Sequence, residues 1–199
     1  MSRFTDFDFG VPWVMGLFHQ DWMHDGDSAA EVVAAYLAAT GDQEVLAVRR
    51  DAQALGALPS PTQEVLWYAG AQYMPGLRPM GGGAEWTRTL VRLCDARLSA
   101  SDVRPFTGAD AEDGSACLDA VVAEIDAARF LAPEVRAALT DCARRCTPDL
   151  AFRVLLRTMR HAPEASLSPE QYQRLEDVGS ALRYGEFVVD SVKYLVERP

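Results

Sequence analysis

Residues 28–41 read SAAEVVAAYLAATG and predict one α-helix with both of its ends marked. Ser28 and Glu31 have the spacing of a capping box, in which two side chains bind free amides at the start of a helix. Four residues at helical spacing form an apolar face: Val32, Val33, Tyr36 and Leu37. Gly41 then ends the helix. The same period recurs through most of the chain, while the alternation typical of strands is nearly absent, so we expect an all-α fold.

The rest of the sequence predicts a helical bundle or array of about eight to nine helices in two halves. Further capped helix starts occur at Ser60-Pro61, Thr147-Pro148 and Ser168-Pro169. We expect a first domain over residues 1–98 and a second domain, of unassigned family, over residues 115–199. Residues 99–114 between them are polar and acidic, which is typical of a linker.

Charged residues on two of the predicted helices are expected to face solvent. In the helix over about residues 43–55 they are Arg49, Arg50 and Asp51. In the helix that follows Thr147 they are Arg153, Arg157 and Arg160, at spacings of four and three. We interpret this second set as a solvated face with acids nearby, in preference to an anion site.

The four cysteines are predicted to be structural. They are Cys94, Cys117, Cys142 and Cys146, and no two of them form a C-x-x-C pair. Cys142 and Cys146 continue an apolar stripe that begins at Val135 and Leu139. Buried free thiols behave as small hydrophobic groups, so this spacing favours packing over metal binding.

The chain is acidic, with 29 Asp and Glu residues against 19 Lys and Arg residues and a net charge of −10 at pH 7. Such a surface repels phosphate backbones, which disfavours direct nucleic-acid binding. It attracts a basic partner. The alternative is that the acidic surface only keeps the protein soluble. No run approaches the roughly 18 apolar residues of a membrane span, and residues 1–6 lack the features of a secretory signal. We therefore expect a cytoplasmic protein with no membrane partner.

Residues 17–27, LFHQDWMHDGD, concentrate side chains of the types that bind metals. These side chains are His19, Asp21, His24 and Asp25. Their spacing matches no recognised zinc pattern, and His19 and Asp21 would point about 200° apart on a helix. We favour a structural interpretation, in which Phe18 and Trp22 at positions i and i+4 anchor a first helix in the core.

No catalytic motif is found in the sequence. A G-x-S-x-G elbow is absent, and no cysteine has a histidine close by in the chain. The glycines at 81–83 follow no predicted strand and precede no Lys-Ser or Lys-Thr pair, so a phosphate-binding loop is not supported. We expect no enzymatic activity and no cofactor.

The block Phe18-His19-Gln20-Asp21-Trp22 resembles the opening of a family of small α-helical immunity proteins of contact-dependent growth inhibition. In that family the block precedes an acid-rich turn, a helix, a glycine-containing loop and a tryptophan-bearing helix. The chain has the same order over about residues 10–98. The matching segments are Asp25-Gly26-Asp27, Glu31-Val32-Val33, Gly81-Gly82-Gly83 and Trp86.

This resemblance implies a non-enzymatic protein that binds and neutralises the C-terminal domain of a cognate bacterial toxin, commonly a nuclease with a basic surface. An acidic inhibitor would replace the phosphate charge there and would associate quickly. The candidate contact residues are Asp21, Asp25, Asp27 and Glu31 in the first domain, and Asp110, Glu112 and Asp113 in the linker.

Two alternatives stay open at the level of sequence. One is a metal-dependent hydrolase that uses His19, Asp21 and His24, with His161 as a further ligand. The other is a general α-helical adaptor that binds a partner segment in a groove between helices.

Overall fold

The computed structural model of the protein describes residues 3–99 and 103–197, and over these residues the fold is all-α, as predicted. The described residues form ten α-helices, slightly more than the eight or nine expected, and several single turns of 3₁₀-helix. They contain no strand, and Leu167 and Val196 form an isolated β-bridge. None of the helices in these residues combines the length and the apolar composition needed to cross a bilayer.

The chain divides into two compact units. We call residues 9–106 the α1–α5 unit, and residues 3–8 together with 107–197 the α6–α10 unit. The helices of the α1–α5 unit are α1 (Val11–Gly16), α2 (Ala29–Ala39), α3 (Asp42–Leu55), α4 (Ser60–Gly70) and α5 (Gly83–Leu98). The helices of the α6–α10 unit are α6 (Leu118–Ala127), α7 (Pro133–Arg145), α8 (Pro148–His161), α9 (Pro169–Ala181) and α10 (Glu186–Asp190).

Helix α5 is central to the α1–α5 unit because it packs against α2, α3 and α4. Three buried aromatic side chains meet beside it. The ring of Trp86 lies edge-on to Trp67 at 5.8 Å between centroids and to Phe18 at 6.0 Å. Such edge-to-face pairs each add about 1 kcal/mol beyond the apolar area that they bury. The core of this unit is therefore organised around Trp86.

The prediction that Asp51 faces solvent is wrong. Its side chain is 2% exposed, and its Oδ2 accepts a hydrogen bond from the amide of Val11, the first residue of α1, at 3.1 Å. Its Oδ1 accepts one from Arg50 Nη2 at 3.2 Å. Gly10, which precedes α1, has no side chain to cap the helix, so a carboxylate from α3 satisfies this amide.

Helix α8 forms the core of the α6–α10 unit. The prediction that its arginines form a solvated face is wrong. Arg153 is fully buried, and its Nη2 binds Asp149 Oδ2 at 2.8 Å. Arg157 and Arg160 are largely buried and both pair with Asp8. The reason is that residues 3–8 belong to this unit and place Asp8 against the side of α8 that carries Arg157 and Arg160.

The predicted linker over residues 99–114 is only partly a linker, because the unit boundary lies inside it, between residues 106 and 107. Residues 100–102 are outside the described residues. Beyond the boundary, Gly108–Ala111 form a 3₁₀ turn in which Ala109 is buried. Asp110 Oδ1 accepts a hydrogen bond from the amide of Phe4 at 2.9 Å, so this segment is packed against the start of the chain.

Two of the four cysteines have the buried environment expected of packing residues. Cys94 and Cys142 are buried, and Cys117 and Cys146 are half-buried. Burial raises the pKa of Cys94 to about 12, with a smaller contribution from Asp95. A thiol with so high a pKa is unreactive near neutral pH.

Candidate functional site

An exposed loop over residues 19–28 joins α1 to α2 and carries most of the predicted site. The prediction of a continuous helix from Phe18 to Trp22 is wrong, because α1 ends at Gly16. His19 Nδ1 accepts a hydrogen bond from the amide of Asp21 at 3.2 Å, a local turn that competes with helical pairing. Phe18 is buried, as the prediction of a core anchor requires, whereas Trp22 is half-buried, and the two rings meet edge-on at 5.7 Å.

The loop and the first turn of α2 bring four predicted carboxylates to the surface: Asp21, Asp25, Asp27 and Glu31. Asp25 Oδ2 lies 3.6 Å from His19 Nε2 and accepts a hydrogen bond from the Tyr36 hydroxyl at 3.4 Å. The amide of Glu31 donates to Ser28 Oγ at 3.2 Å, as a capping box requires. The carboxylate of Glu31 accepts from the amide of Asp27 at 3.1 Å, one residue earlier than that motif predicts.

Among the described residues, no arginine or lysine forms an ion pair with any of these four carboxylates. Residues 4–48 contain eight Asp and Glu residues and no Lys or Arg. Among the residues that the structure describes, His19 is the only basic side chain within 4 Å of any of the four. The nearby carboxylate of Asp42 differs, because Arg97 Nη1 binds it at 3.0 Å. The loop therefore presents uncompensated negative charge to solvent.

Two exposed side chains place apolar surface among these charges. Met23 is 69% exposed and Tyr36 is 37% exposed. The ring of Trp13 supports Tyr36 edge-on at 6.5 Å, so Tyr36 is held in place. Methionine and tyrosine are enriched at the centres of protein interfaces. We call the following set the acidic face: Asp21, Met23, Asp25, Asp27, Glu31 and Tyr36.

The second predicted acidic set, in the α6–α10 unit, has structural partners instead. Asp113 Oδ1 accepts a hydrogen bond from the amide of Ser115 at 2.9 Å, and Glu112 pairs with Arg183 at 3.3 Å. Asp110 holds the amide of Phe4. Because Arg183 balances the charge of Glu112, this set is a weaker candidate for attracting a basic partner than the four carboxylates of the loop and α2.

The histidines do not assemble into a metal site in the described parts of the chain. No group of three or more His, Cys, Asp or Glu side chains there has an arrangement that fits a metal ion. His19 has both ring nitrogens engaged, with Asp21 and with Asp25. His161 belongs to the α6–α10 unit, where burial, Arg157 and Arg160 lower its pKa to about 4.

The residues that carry the resemblance to immunity proteins, in the block 18–22 and at Trp86, have different environments. Phe18 and Trp86 are buried in one aromatic cluster, whereas His19, Gln20 and Asp21 are exposed. Part of the block therefore packs in the core, and the other part lies on the surface. The helical spacing predicts Tyr36 on the apolar side of α2, whereas the side chain is partly exposed, and no pattern in the sequence singles out Met23. The absence of Lys and Arg from residues 4–48 is the signal in the sequence that points to this face.

Comparisons of the chain with protein-family models, with curated proteins and with solved structures find no match.

Proposed function

We propose that this protein is a cytoplasmic binding protein that neutralises a basic toxin domain, and that the acidic face is its contact surface. The observation that carries the proposal is a group of exposed carboxylates beside Met23 and Tyr36 with no arginine or lysine within ion-pair distance among the described residues: Asp21, Asp25, Asp27 and Glu31. The resemblance of residues 18–22 to immunity proteins supports a toxin as the partner.

Two properties of the acidic face favour binding to a basic protein. Uncompensated carboxylates attract a basic surface from a distance and so raise the rate of association. Met23 and Tyr36 supply apolar area that a partner can bury, which slows dissociation. Charge alone would give a fast but weak encounter, so the two features together favour a specific complex.

The function is tested by co-expression with the C-terminal domain of the polypeptide encoded beside this gene, with growth of the host as the readout. We expect that domain to be basic, to stop growth when expressed alone, and to form a one-to-one complex with this chain. Growth should resume when both are present. A neighbouring domain that forms no stable complex with the chain would contradict the proposal.

A variant distinguishes the acidic face from acidity in general. The triple substitution Asp21→Asn, Asp25→Asn and Asp27→Asn should weaken protection. A matched control removes three exposed carboxylates from the α6–α10 unit with Glu134→Gln, Asp141→Asn and Glu164→Gln. The control changes the net charge equally and should protect as the unmodified chain does. Equal loss in both triple variants would show that overall charge, not this face, is responsible.

A further inference from the structure

A cavity of about 570 Å³ lies in the α1–α5 unit between the end of α3, the start of α4 and one side of α5. Its volume is in the range of small-molecule sites, about 300–1,000 Å³. The residues of α5 that line it share one helical stripe: Ala84, Thr87, Arg88, Val91 and Arg92. Ala52 and Leu58 contribute apolar atoms from the facing side.

The lining contains a polar pair that is itself buried. Gln63 and Thr87 are 1% and 2% exposed. Thr87 Oγ1 donates to Gln63 Oε1 at 2.5 Å, and Gln63 Nε2 donates to the carbonyl of Leu58 at 2.8 Å. These bonds hold Gln63 and Thr87 together in the wall of the cavity.

The mouth of the cavity is positively charged. Arg88 and Arg92 line it, and their side chains are 65% and 64% exposed. Both guanidinium groups converge on the carboxylate of Glu85, at 2.6 and 2.8 Å. Within the described residues, Glu85 is the only carboxylate in ion-pair distance of either arginine. Two cations thus share one anion, and they already hold a carboxylate in a geometry that a ligand can imitate.

We propose that this cavity binds a small amphipathic carboxylate, with its apolar body between α3 and α5 and its carboxylate on Arg88 and Arg92. Apolar walls with a few placed polar groups are typical of such sites. The charge of the mouth selects an anion, in contrast to the basic partner that the acidic face attracts. The site therefore goes beyond the proposed function, and its test requires no protein partner.

The experiment is calorimetric titration of the full chain with decanoate, kept below its micelle concentration. Decanol and decyltrimethylammonium have the same chain with no charge and with the opposite charge. We expect decanoate to bind one-to-one at least tenfold more tightly than either. Absence of binding, or equal binding of all three compounds, would overturn the proposal.

Three sets of variants are expected to change the affinity for decanoate differently: one weakens it, one tightens it and one leaves it unchanged. Arg88→Gln with Arg92→Gln should weaken decanoate binding about tenfold, because both charge-assisted contacts are lost. Glu85→Gln should tighten binding about threefold, because it frees both guanidinium groups. The control Arg78→Gln with Arg104→Gln removes two exposed arginines of the same unit that do not line the cavity, and it should leave binding unchanged.

A substitution that fills the cavity tests whether the apolar part of the ligand lies there. Val91 is partly exposed in the lining, and Val91→Phe should reduce the affinity for decanoate at least fivefold. The arginine variants alter exposed positions and keep the test valid if Val91→Phe does not fold. Unchanged affinity in a folded Val91→Phe protein, or in the double arginine variant, would overturn the assignment.

Discussion

The carboxylate of Asp51 connects two helices through a single buried side chain. It caps the amide of Val11 and accepts a hydrogen bond from Arg50. Periodicity placed Asp51 on the outer side of α3, because sequence alone does not indicate that α1 begins beside it. A buried acceptor of this kind contributes to stability only while its donors are present.

Asp51→Ala is expected to lower the free energy of unfolding by about 2 kcal/mol, since it leaves a buried amide without a partner. Asp95→Asn is the matched control in the same unit, because Asp95 forms an exposed pair with Arg49. Exposed pairs contribute about 0–1 kcal/mol. Urea unfolding of both variants gives the comparison, and equal losses would contradict the capping role.

His161 is expected to remain neutral in the folded protein down to about pH 5. Burial, with Arg157 and Arg160 nearby, lowers its pKa from the ordinary 6.5 to about 4. The unfolded chain therefore binds this proton more readily, so the contribution of His161 to stability is complete above about pH 6.5 and is lost as the pH falls towards 4. NMR titration of the imidazole carbons measures the pKa directly, and a midpoint near 6.5 would contradict the buried environment.

At the scale of elements, the glycines at 81–83 illustrate what a sequence pattern leaves undecided. The residues around these glycines do not match a phosphate-binding loop, and the pattern does not explain why three glycines follow one another. In the structure, Gly81 and Gly82 both have φ of +86°, a backbone conformation that favours glycine. Gly83 lies where α5 meets the start of α4, and an added Cβ there would be 2.8 Å from the carbonyl oxygen of Ser60.

Gly83→Ala is therefore expected to cost about 2 kcal/mol of stability, because the added methyl meets backbone atoms that cannot move independently of α4. Gly76→Ala, in the loop before α5, is the control, since the nearest contact of its Cβ is Pro79 at 3.7 Å. That change should alter stability by less than about 0.5 kcal/mol. Thermal unfolding distinguishes them, and a neutral Gly83→Ala would show that the helices can separate slightly at this contact.

Local signals predicted the helices better than they predicted the charged residues. Ser28, Thr147 and Ser168 accept hydrogen bonds from the amides that the capping patterns predict. The cap predicted at Ser60 is wrong, because α4 has no side-chain cap and Ser60 Oγ accepts from the amide of Ala84 at 3.1 Å. The three confirmed caps each span three residues, so sequence contains all the information they need. Arg153 differs, because its burial depends on an arrangement to which Arg3, far away in the sequence, contributes. The same limit applies to the site: the acids of the acidic face were predicted, but the exposure of Met23 and Tyr36 required the fold.

At the scale of the whole molecule, the first residues of the chain complete the α6–α10 unit. Arg3 is buried, where its Nη2 binds Asp149 Oδ1 at 3.0 Å and its Nε donates to the carbonyl of Leu182 at 2.9 Å. Its guanidinium also lies over the ring of Tyr184 at 5.3 Å. Asp149 is thus shared by Arg3, Arg153 and the Tyr184 hydroxyl. A domain boundary placed from composition alone cannot include such a segment.

Arg3→Ala is expected to destabilise the α6–α10 unit by about 3 kcal/mol, because it breaks a buried ion pair. All four tryptophans of the chain lie in the α1–α5 unit, so their fluorescence reports on that unit, whereas far-ultraviolet circular dichroism reports on both. The variant should shift part of the dichroism transition to lower urea and leave the fluorescence transition in place. An equal shift of both signals would show that the units unfold together.

The central claim is that the acidic face binds a basic protein, and its most direct test is the rate of association with the toxin domain at two salt concentrations. At low salt, the triple variant Asp21→Asn, Asp25→Asn, Asp27→Asn should associate about tenfold more slowly than the unmodified chain, and at high salt the two rates should converge. The triple control Glu134→Gln, Asp141→Asn, Glu164→Gln should keep the rate of the unmodified chain. Equal rates for the acidic-face variant and the unmodified chain at low salt would contradict the claim.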